Sequence, residues 1–354
     1  MSRFFSSTHD TLVPYVPGEQ LNDKKYIKLN TNESPYPPSD GVLKAVAEES
    51  EKLMLYPDPD CKALLTKMSE VYNVPADCIV VTNGSDEILN FAFFAFCDSE
   101  HPVVFPNHTY GFYKVFAQLY DLPYEEIPLN PDFTVCVEDY VGINKNIFIA
   151  NPNAPTGIAL PLSDIERIVS SNPDNIVLVD EAYVDFGGES AVGLIDKYDN
   201  LIVTQTFSKS RSMAGARLGM GFACPELIAD INTLRYSTNP YNINRMTMAA
   251  GIAAMTDNAY YMDNCSKIVE AREYTAKALK GLGFDVLDSK TNFVFVKCDK
   301  IDGERLYKKL RERGILVRHF TKPDIAQYNR ITIGTMAQME TLVANVKEIL
   351  EEEQ

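Results

Sequence analysis

Four histidines occur in 354 residues, at positions 9, 101, 108 and 319. No two of them, and no histidine with a cysteine, have the spacing at which side chains share a metal, so no metal site is expected. The seven cysteines (61, 78, 97, 136, 224, 265 and 298) stand singly, with no Cys-x-x-Cys pair and an odd total. That pattern argues against a disulfide framework and for a reduced, cytoplasmic protein. No apolar run approaches the ~20 residues of a membrane span, and "MSRFFSSTHD" lacks the pattern of a secretory segment, so no membrane partner is expected. Basic residues are outnumbered 33 to 49, a formal net charge of −16. A nucleic-acid partner is therefore not expected, although a local basic pocket for a small anion is compatible with that total.

What is present is an ordinary globular composition, 45% apolar, in a chain long enough for one large domain and one smaller one. Residues 1–39 are rich in Pro, Asn and Tyr and read as an extended arm that joins the smaller domain. From about residue 40 helices appear, and from "CIVVT" onward short apolar strands alternate with them: "PVVF", "NIFIA", "NIVLVD" and "NLIVTQTF". Such alternation predicts an α/β domain, a mostly parallel sheet covered by helices on both faces, over residues 40–245. Residues 246–354 carry a different pattern. A helix over roughly 260–280 is followed by strands "FDVL" and "NFVFVKC", helix "GERLYKKLRERG", strands "ILVR" and "RITIG", and a final helix. This reads as a small α+β domain, with the acidic end "EEEQ" solvated.

In an open α/β sheet, ligands bind beyond the carboxyl ends of the strands. The polar residues of this sequence fall there. "GSDE" follows "CIVVT", "NPNAPTG" follows "NIFIA", Asp180 ends "NIVLVD", and Lys209 comes just after "NLIVTQTF". Taken singly, each has an ordinary explanation. "GSDE" is a helix start capped by Ser85 or Asp86, "NPNAPTG" is a turn, and Lys209 and Arg217 are solvated charges. Together they form a set that a Schiff-base cofactor needs. An amine carries the aldehyde as an imine, a carboxylate keeps a pyridine nitrogen protonated, and a helix N-terminus with an arginine holds a phosphate.

"VDEAYVDF", "TFSKSRSMAGARLG", "NPNAPTG" and "GSDE" resemble the signature set of pyridoxal-phosphate enzymes of the aspartate-aminotransferase fold, called fold type I. "PYVPGEQ", "LNTNESPY", "YPD" and "RITIGT" narrow the resemblance to the histidinol-phosphate aminotransferase subfamily, over residues 12 to 335 and in that family's order. The resemblance implies pyridoxal 5'-phosphate as cofactor. It implies that Lys209 carries the aldehyde and later moves the proton, that Asp180 partners the ring nitrogen, and that Tyr183 donates to the phenolic oxygen. Tyr110 would stack on the ring. Ser85 and Asp86 would offer backbone N–H groups to the phosphate, with Thr206, Ser208 and Arg217 completing the cup. Tyr56 would reach the phosphate of a neighbouring subunit, so a homodimer with shared sites is implied. The family often has Asn where this chain has Ala154; Asn153 is the first candidate for that lost contact and Asn151 the other.

For the substrate, the resemblance implies Arg330 and Arg318 as anion-binding residues, a role suited to the guanidinium fork. Tyr15, Asn32 and Glu33 would close over the substrate. The implied reaction exchanges histidinol phosphate and 2-oxoglutarate for imidazole-acetol phosphate and glutamate, in histidine biosynthesis. Alternatives on the same motifs are a threonine-phosphate decarboxylase and an aromatic or broad-specificity aminotransferase. A cofactor-binding regulator without turnover would need a DNA-binding module, for which this chain has no spare length.

Overall fold

The computed structural model describes residues 2–9, 12–21 and 23–353; Met1, Asp10, Thr11, Asn22 and Gln354, which the expected arm and acidic end include, lie outside the described residues. The centre is a seven-stranded sheet. Its spatial order is Ile79–Thr82, Gly219–Phe222, Leu201–Thr206, Val177–Asp180, Asn146–Ala150, Val103–Pro106 and Tyr124–Ile127. Six strands run parallel, and Gly219–Phe222 alone is antiparallel to both its neighbours. The inner strands are buried at every position, as expected of a sheet covered on both faces.

Two strands of this sheet escaped the periodicity reading. Gly219–Phe222 ("GMGF") contains two glycines and no β-branched residue. Its glycines are there for space. A Cβ on Gly219 would come within 2.4 Å of the Gly84 carbonyl carbon and the Ser85 nitrogen, so the helix start at residue 85 sits directly on this strand. Tyr124–Ile127 ("YEEI") is a half-exposed edge strand. Helices Pro225–Thr238 and Arg245–Thr256 were also unread. The second is built from Met, Ala and Thr with one glycine, and shows no clean polar face.

Helix Arg245–Thr256 packs on helices Asp40–Ser50 and Lys62–Tyr72. Gly251 makes this close approach possible, since a Cβ there would meet Leu218 at 2.6 Å and Leu64 at 2.9 Å. The apolar core under that face of the sheet runs from Val42 through to Tyr261. A second core begins within the same long helix, Asn258–Gly281, at Cys265 and Ile268, and continues through residues of the C-terminal part to Leu350. That part carries an antiparallel sheet in the order Arg318–His319, Asn329–Thr332, Phe293–Lys297, Asp285–Val286. Helix Met336–Glu352 packs on Asn258–Gly281 and Gly303–Glu312 beneath it, opened by a capping box at Thr335 and Gln338. Each Val, Leu, Ile or Phe fully buried in these cores contributes about 1.5–3 kcal/mol.

The N-terminal segment belongs to both bodies. Ile27–Lys28 pairs in parallel with Ile315–Leu316, and Leu29 lies in the second core. The next residues, Asn30 to Glu33, cross to the carboxyl edge of the large sheet, where they meet Lys209 and Tyr183.

Candidate active site

Thr82, Ala150, Asp180 and Thr206 end four parallel strands on one edge of the sheet. Antiparallel Gly219–Phe222 begins at that same edge, with Gly219 in register between Thr82 and Thr206. This reversal brings Arg217, two residues earlier, back to the strand ends. Ser85, Asp86, Tyr110, Asp180, Tyr183, Thr206, Ser208, Lys209 and Arg217 all line one cavity of about 220 Å³ there. Beside it lies a larger cavity of about 810 Å³, whose walls include Tyr15, Asn32, Arg318 and Arg330. The two cavities share Thr31, Tyr110, Ala154, Tyr183 and Lys209. Ala154 thus lines the site at the position where the family often has Asn, whereas Thr31 was not expected there; nothing in its chemistry marks it, and only the fold places it.

Asp180 is 4% exposed. Burial pushes its carboxyl up to about 7, against the opposing pull of a hydrogen bond from Tyr113, one from the Ala182 amide, and the Lys209 charge. Tyr113 Oη donates to Oδ2 at 3.2 Å and Ala182 N donates to Oδ1 at 3.2 Å. Each oxygen keeps a lone pair for a cationic donor in the cavity. Tyr113 was missed in the sequence. It is an apolar-face position of helix Phe112–Leu119, and its ring packs on Phe93, Phe105 and Phe148 like any core aromatic.

Helix Ser85–Phe96 starts at the opposite end of the cavity. Gly84, not Ser85 or Asp86, occupies the N-cap position, and no side chain caps the helix. Its first N–H groups and the helix dipole are thus free to hold an anion. Asp86 does more than offer its amide. Its carboxylate accepts from Tyr110 Oη at 2.7 Å and pairs with Arg217 Nη2 at 3.1 Å. Arg217 also reaches Ser208 Oγ at 3.4 Å, and Thr206 Oγ1 donates to Ser208 Oγ at 3.0 Å. Gly84 is at φ 77°, and a Cβ there would lie 2.5 Å from Arg217 Nη2, closing the cradle that helix start and guanidinium form. Burial pushes the Tyr110 hydroxyl well above its ordinary range, and the adjacent Asp86 adds to this, so it stays protonated and donating.

Lys209 has no carboxylate within ion-pair distance among the described residues. Its amine donates to the Thr31 carbonyl at 3.5 Å and lies 5.8 Å from the centre of the Tyr183 ring. Tyr183 Oη accepts from Asn32 Nδ2 at 2.9 Å. The cavity therefore offers an amine, a carboxylate beyond it and an anion cradle at one end. Those are the contacts that a flat pyridine aldehyde with a phosphate arm requires.

Asn153 does not line this cavity. Its Oδ1 accepts from Thr109, and its Nδ2 donates to the His108 carbonyl and to Thr156 Oγ1. Asn151 spends its amide on the backbone of Leu160. The Ala154 side of the cavity receives no side-chain amide from this loop.

In the larger cavity, Arg318 and Arg330 face each other in register on antiparallel strands. Like charges directly opposite destabilise a sheet pair. Neither has a carboxylate partner among the described residues. Arg318 donates to the carbonyls of Val16 and Pro17, Arg330 Nη2 to that of Asn30 at 3.3 Å, and Arg330 Nε has no partner. Burial lowers the Arg330 pKa from its ordinary value. Tyr15 stacks on Phe112 at 4.4 Å, at the rim. Glu33 pairs with Lys28 at 2.7 Å. Tyr56 lines neither cavity; it is 78% exposed and stacks on Tyr241. No group of His, Cys, Asp and Glu among the described residues is arranged to hold a metal.

The chain matches the family model for class I and II aminotransferases over residues 24–346. It is 50% identical to a histidinol-phosphate aminotransferase of Brachyspira hyodysenteriae over 352 residues, 99% of each chain. It is 49% identical to one of Marinomonas sp., over 98% of this chain and 99% of that one. The solved structure of histidinol-phosphate aminotransferase from Sinorhizobium meliloti, in complex with pyridoxal-5'-phosphate, shares the fold with a TM-score of 0.91 at 23% identity, covering 100% of this chain and 99% of that one. The chain thus belongs to the class I and II aminotransferases and, among them, to the histidinol-phosphate aminotransferase family.

Proposed function

We propose that this protein uses pyridoxal 5'-phosphate to exchange an amino group between histidinol phosphate and 2-oxoglutarate, giving imidazole-acetol phosphate and glutamate, as a step of histidine biosynthesis. When bound, the cofactor supplies an aldehyde that takes up the amine and a ring that accepts the electrons released as a proton leaves carbon. The chain supplies the rest. The amine of Lys209 would hold the aldehyde carbon and, as a free amine, would be the base that moves the proton. Asp180, buried and doubly hydrogen-bonded, keeps the ring nitrogen protonated, and that cationic partner in turn restores its charge. Tyr183 donates to the phenolic oxygen. The Ser85 and Asp86 amides, Thr206, Ser208 and Arg217 hold the phosphate, and Tyr110 covers the ring.

The observation that carries the substrate assignment is the opposed pair Arg318 and Arg330. Two guanidiniums in register, held by main-chain carbonyls and the rings of Phe293 and Phe320 but without a carboxylate partner among the described residues, favour an anion between them. The phosphate of one substrate and a carboxylate of the other both meet that need at the same place. Tyr15 and the segment containing Asn32 form the wall on which such a substrate rests.

We further propose a homodimer in which Tyr56 reaches the neighbouring subunit's phosphate. Leu53, Met54, Leu55 and Tyr56 are all exposed in the single chain, a run of apolar side chains that a second copy would cover. The larger unit is proposed to extend from residue 40 to the start of helix Asn258–Gly281, since the side chains of Arg245–Thr256 pack in its core. A cytoplasmic setting accords with seven unpaired cysteines and with the lack of a helix among the described residues long and apolar enough to cross a membrane.

One half-reaction tests the assignment. Histidinol phosphate, added to the cofactor-loaded protein without keto acid, is expected to bleach its visible absorbance, and 2-oxoglutarate to restore it. Bleaching by another amine but not by histidinol phosphate would show that the substrate is wrong while the cofactor stands.

A further inference from the structure

We infer that Asn32 and Thr332 fix the direction in which Tyr183 gives its hydroxyl proton, which makes Asn32 a positioning residue for that tyrosine. The chain of hydrogen bonds starts at a group that has no choice. A backbone N–H can only donate, and that of Asn32 donates to Thr332 Oγ1 at 2.9 Å. The Thr332 hydroxyl proton then needs an acceptor, and Asn32 Oδ1 lies 3.0 Å away. With its oxygen so engaged, the Asn32 amide turns its NH2 to Tyr183 and donates to Oη at 2.9 Å. The tyrosine oxygen accepts, so its own proton is free for an acceptor in the cavity. A flipped amide would let Tyr183 donate to Asn32 instead, but it would leave the Thr332 proton without an acceptor. Thr332 is 2% exposed and Asn32 1%, so no bulk water compensates that loss.

The surroundings hold this chain of donors rigid. Asn32 sits at φ 55°, its carbonyl accepts from Asn292 Nδ2 at 3.0 Å, and the Thr332 amide is bonded to the Leu29 carbonyl at 3.0 Å. The Tyr183 ring meets Phe293 edge-on. Lys209 and Arg330 are the cations that face Tyr183; Asp180, Asp86 and Glu33 are the carboxylates of the adjoining cavity wall, with Arg217 beyond them. Asn151 and Asn153 spend their amides elsewhere, and Ala154 brings none, so the directed Tyr183 hydroxyl is the donor the chain presents on this side.

The inference rests on the proposed cofactor reading. A proton given to the ring oxygen weakens that oxygen's hold on the proton of the lysine–cofactor linkage. It therefore lowers the pH at which the visible absorbance of the loaded protein changes. Asn32→Asp replaces the donor with an acceptor and turns the Tyr183 proton away from the cavity. Its midpoint is expected to rise by about one pH unit or more, the equivalent of one lost charge-assisted hydrogen bond. Thr332→Val frees the amide to flip and should raise the midpoint by less, while Thr332→Ser should keep the wild-type value. A normal band whose midpoint is unmoved in both Asn32→Asp and Thr332→Val overturns this inference alone. If Asn32→Asp does not fold, the Thr332 pair decides. A wild-type protein that shows no visible band with the cofactor overturns the reading of Lys209, and this inference with it.

Discussion

The two ends of the site are built on opposite plans. At the large-sheet end the polar groups are already paired with one another: Asp180 with Tyr113, Asp86 with Tyr110 and Arg217, Thr206 with Ser208. They hold their places before anything binds, as a resident group requires. At the other end, Arg318 and Arg330 spend their protons only on main-chain carbonyls of residues 16–30, and one nitrogen is left over. Those contacts are weaker than a charged pair, so an anion would displace them at little cost. A transaminase keeps one ligand and exchanges two others in turn, and the difference in pairing matches that division of labour.

If the division is right, changes at the first end lower kcat and changes at the second raise KM. The largest effect belongs to Lys209→Ala. Turnover should fall by about 10⁴-fold or more, the scale of a lost acid–base group together with lost covalent attachment. A variant with the wild-type rate would break the assignment. Asp180→Asn is next. It keeps the shape but not the charge, and kcat should fall by about 10²–10³-fold, as for other preorganised electrostatic groups. The protein should still fold, because the amide oxygen can accept from the Ala182 N–H while its NH2 donates to the Tyr113 hydroxyl oxygen, which reverses only the second bond.

At the second end, Arg330→Ala should lower kcat/KM about 10- to 100-fold, mainly through KM, the value of one charged hydrogen bond. Arg330→Lys should recover only part of this, since an ammonium lacks the fork. A loss confined to kcat would merge the two ends into one machine and sink the comparison. Tyr56→Phe should leave kcat nearly unchanged and weaken retention of the cofactor by about tenfold, one hydrogen bond to phosphate. That loss should be measurable by dialysis of the loaded protein.

The first end was the more legible in sequence, for a physical reason. Asp180 and Lys209 follow short apolar strands, and buried parallel strands announce themselves by composition. The second end depends on register. That Arg318 lies opposite Arg330 follows from pairing between Arg318–His319 and Asn329–Thr332, and a two-residue strand carries no periodicity to read. Asn153 shows the limit most clearly. The string "NPNAPTG" offers two asparagines, and composition cannot show that both are spent on backbone and neighbouring hydroxyls. Tyr113 was hidden because its ring behaves as core and only its hydroxyl is part of the site. Arg217 was found from its neighbours, but its route into the site, through a reversed strand of glycines, was invisible.

The smallest expected effect separates two adjacent carboxyls. Burial pushes both Asp180 and Glu181 up to about 7 in the cofactor-free chain. Each then binds a proton in the folded state, between pH 4 and 7, that the unfolded chain has released. Stability of the cofactor-free protein must therefore fall as pH rises through that window. Asp180→Asn and Glu181→Gln should each flatten the fall by about 1–2 kcal/mol, a few degrees in Tm at pH 7 relative to pH 5. The cofactor distinguishes them. A cationic ring nitrogen neutralises Asp180, so loading should abolish its share of the pH dependence. Glu181 points away, to Ser190, the Ala191 amide and Gln205, and its share should persist. Melting curves of wild type and both variants, with and without cofactor, measure this directly. If loading erased the Glu181 share as well, the cofactor's charge would be felt beyond the one carboxylate assigned to it, and the first end would be less sharply built than its pairing implies.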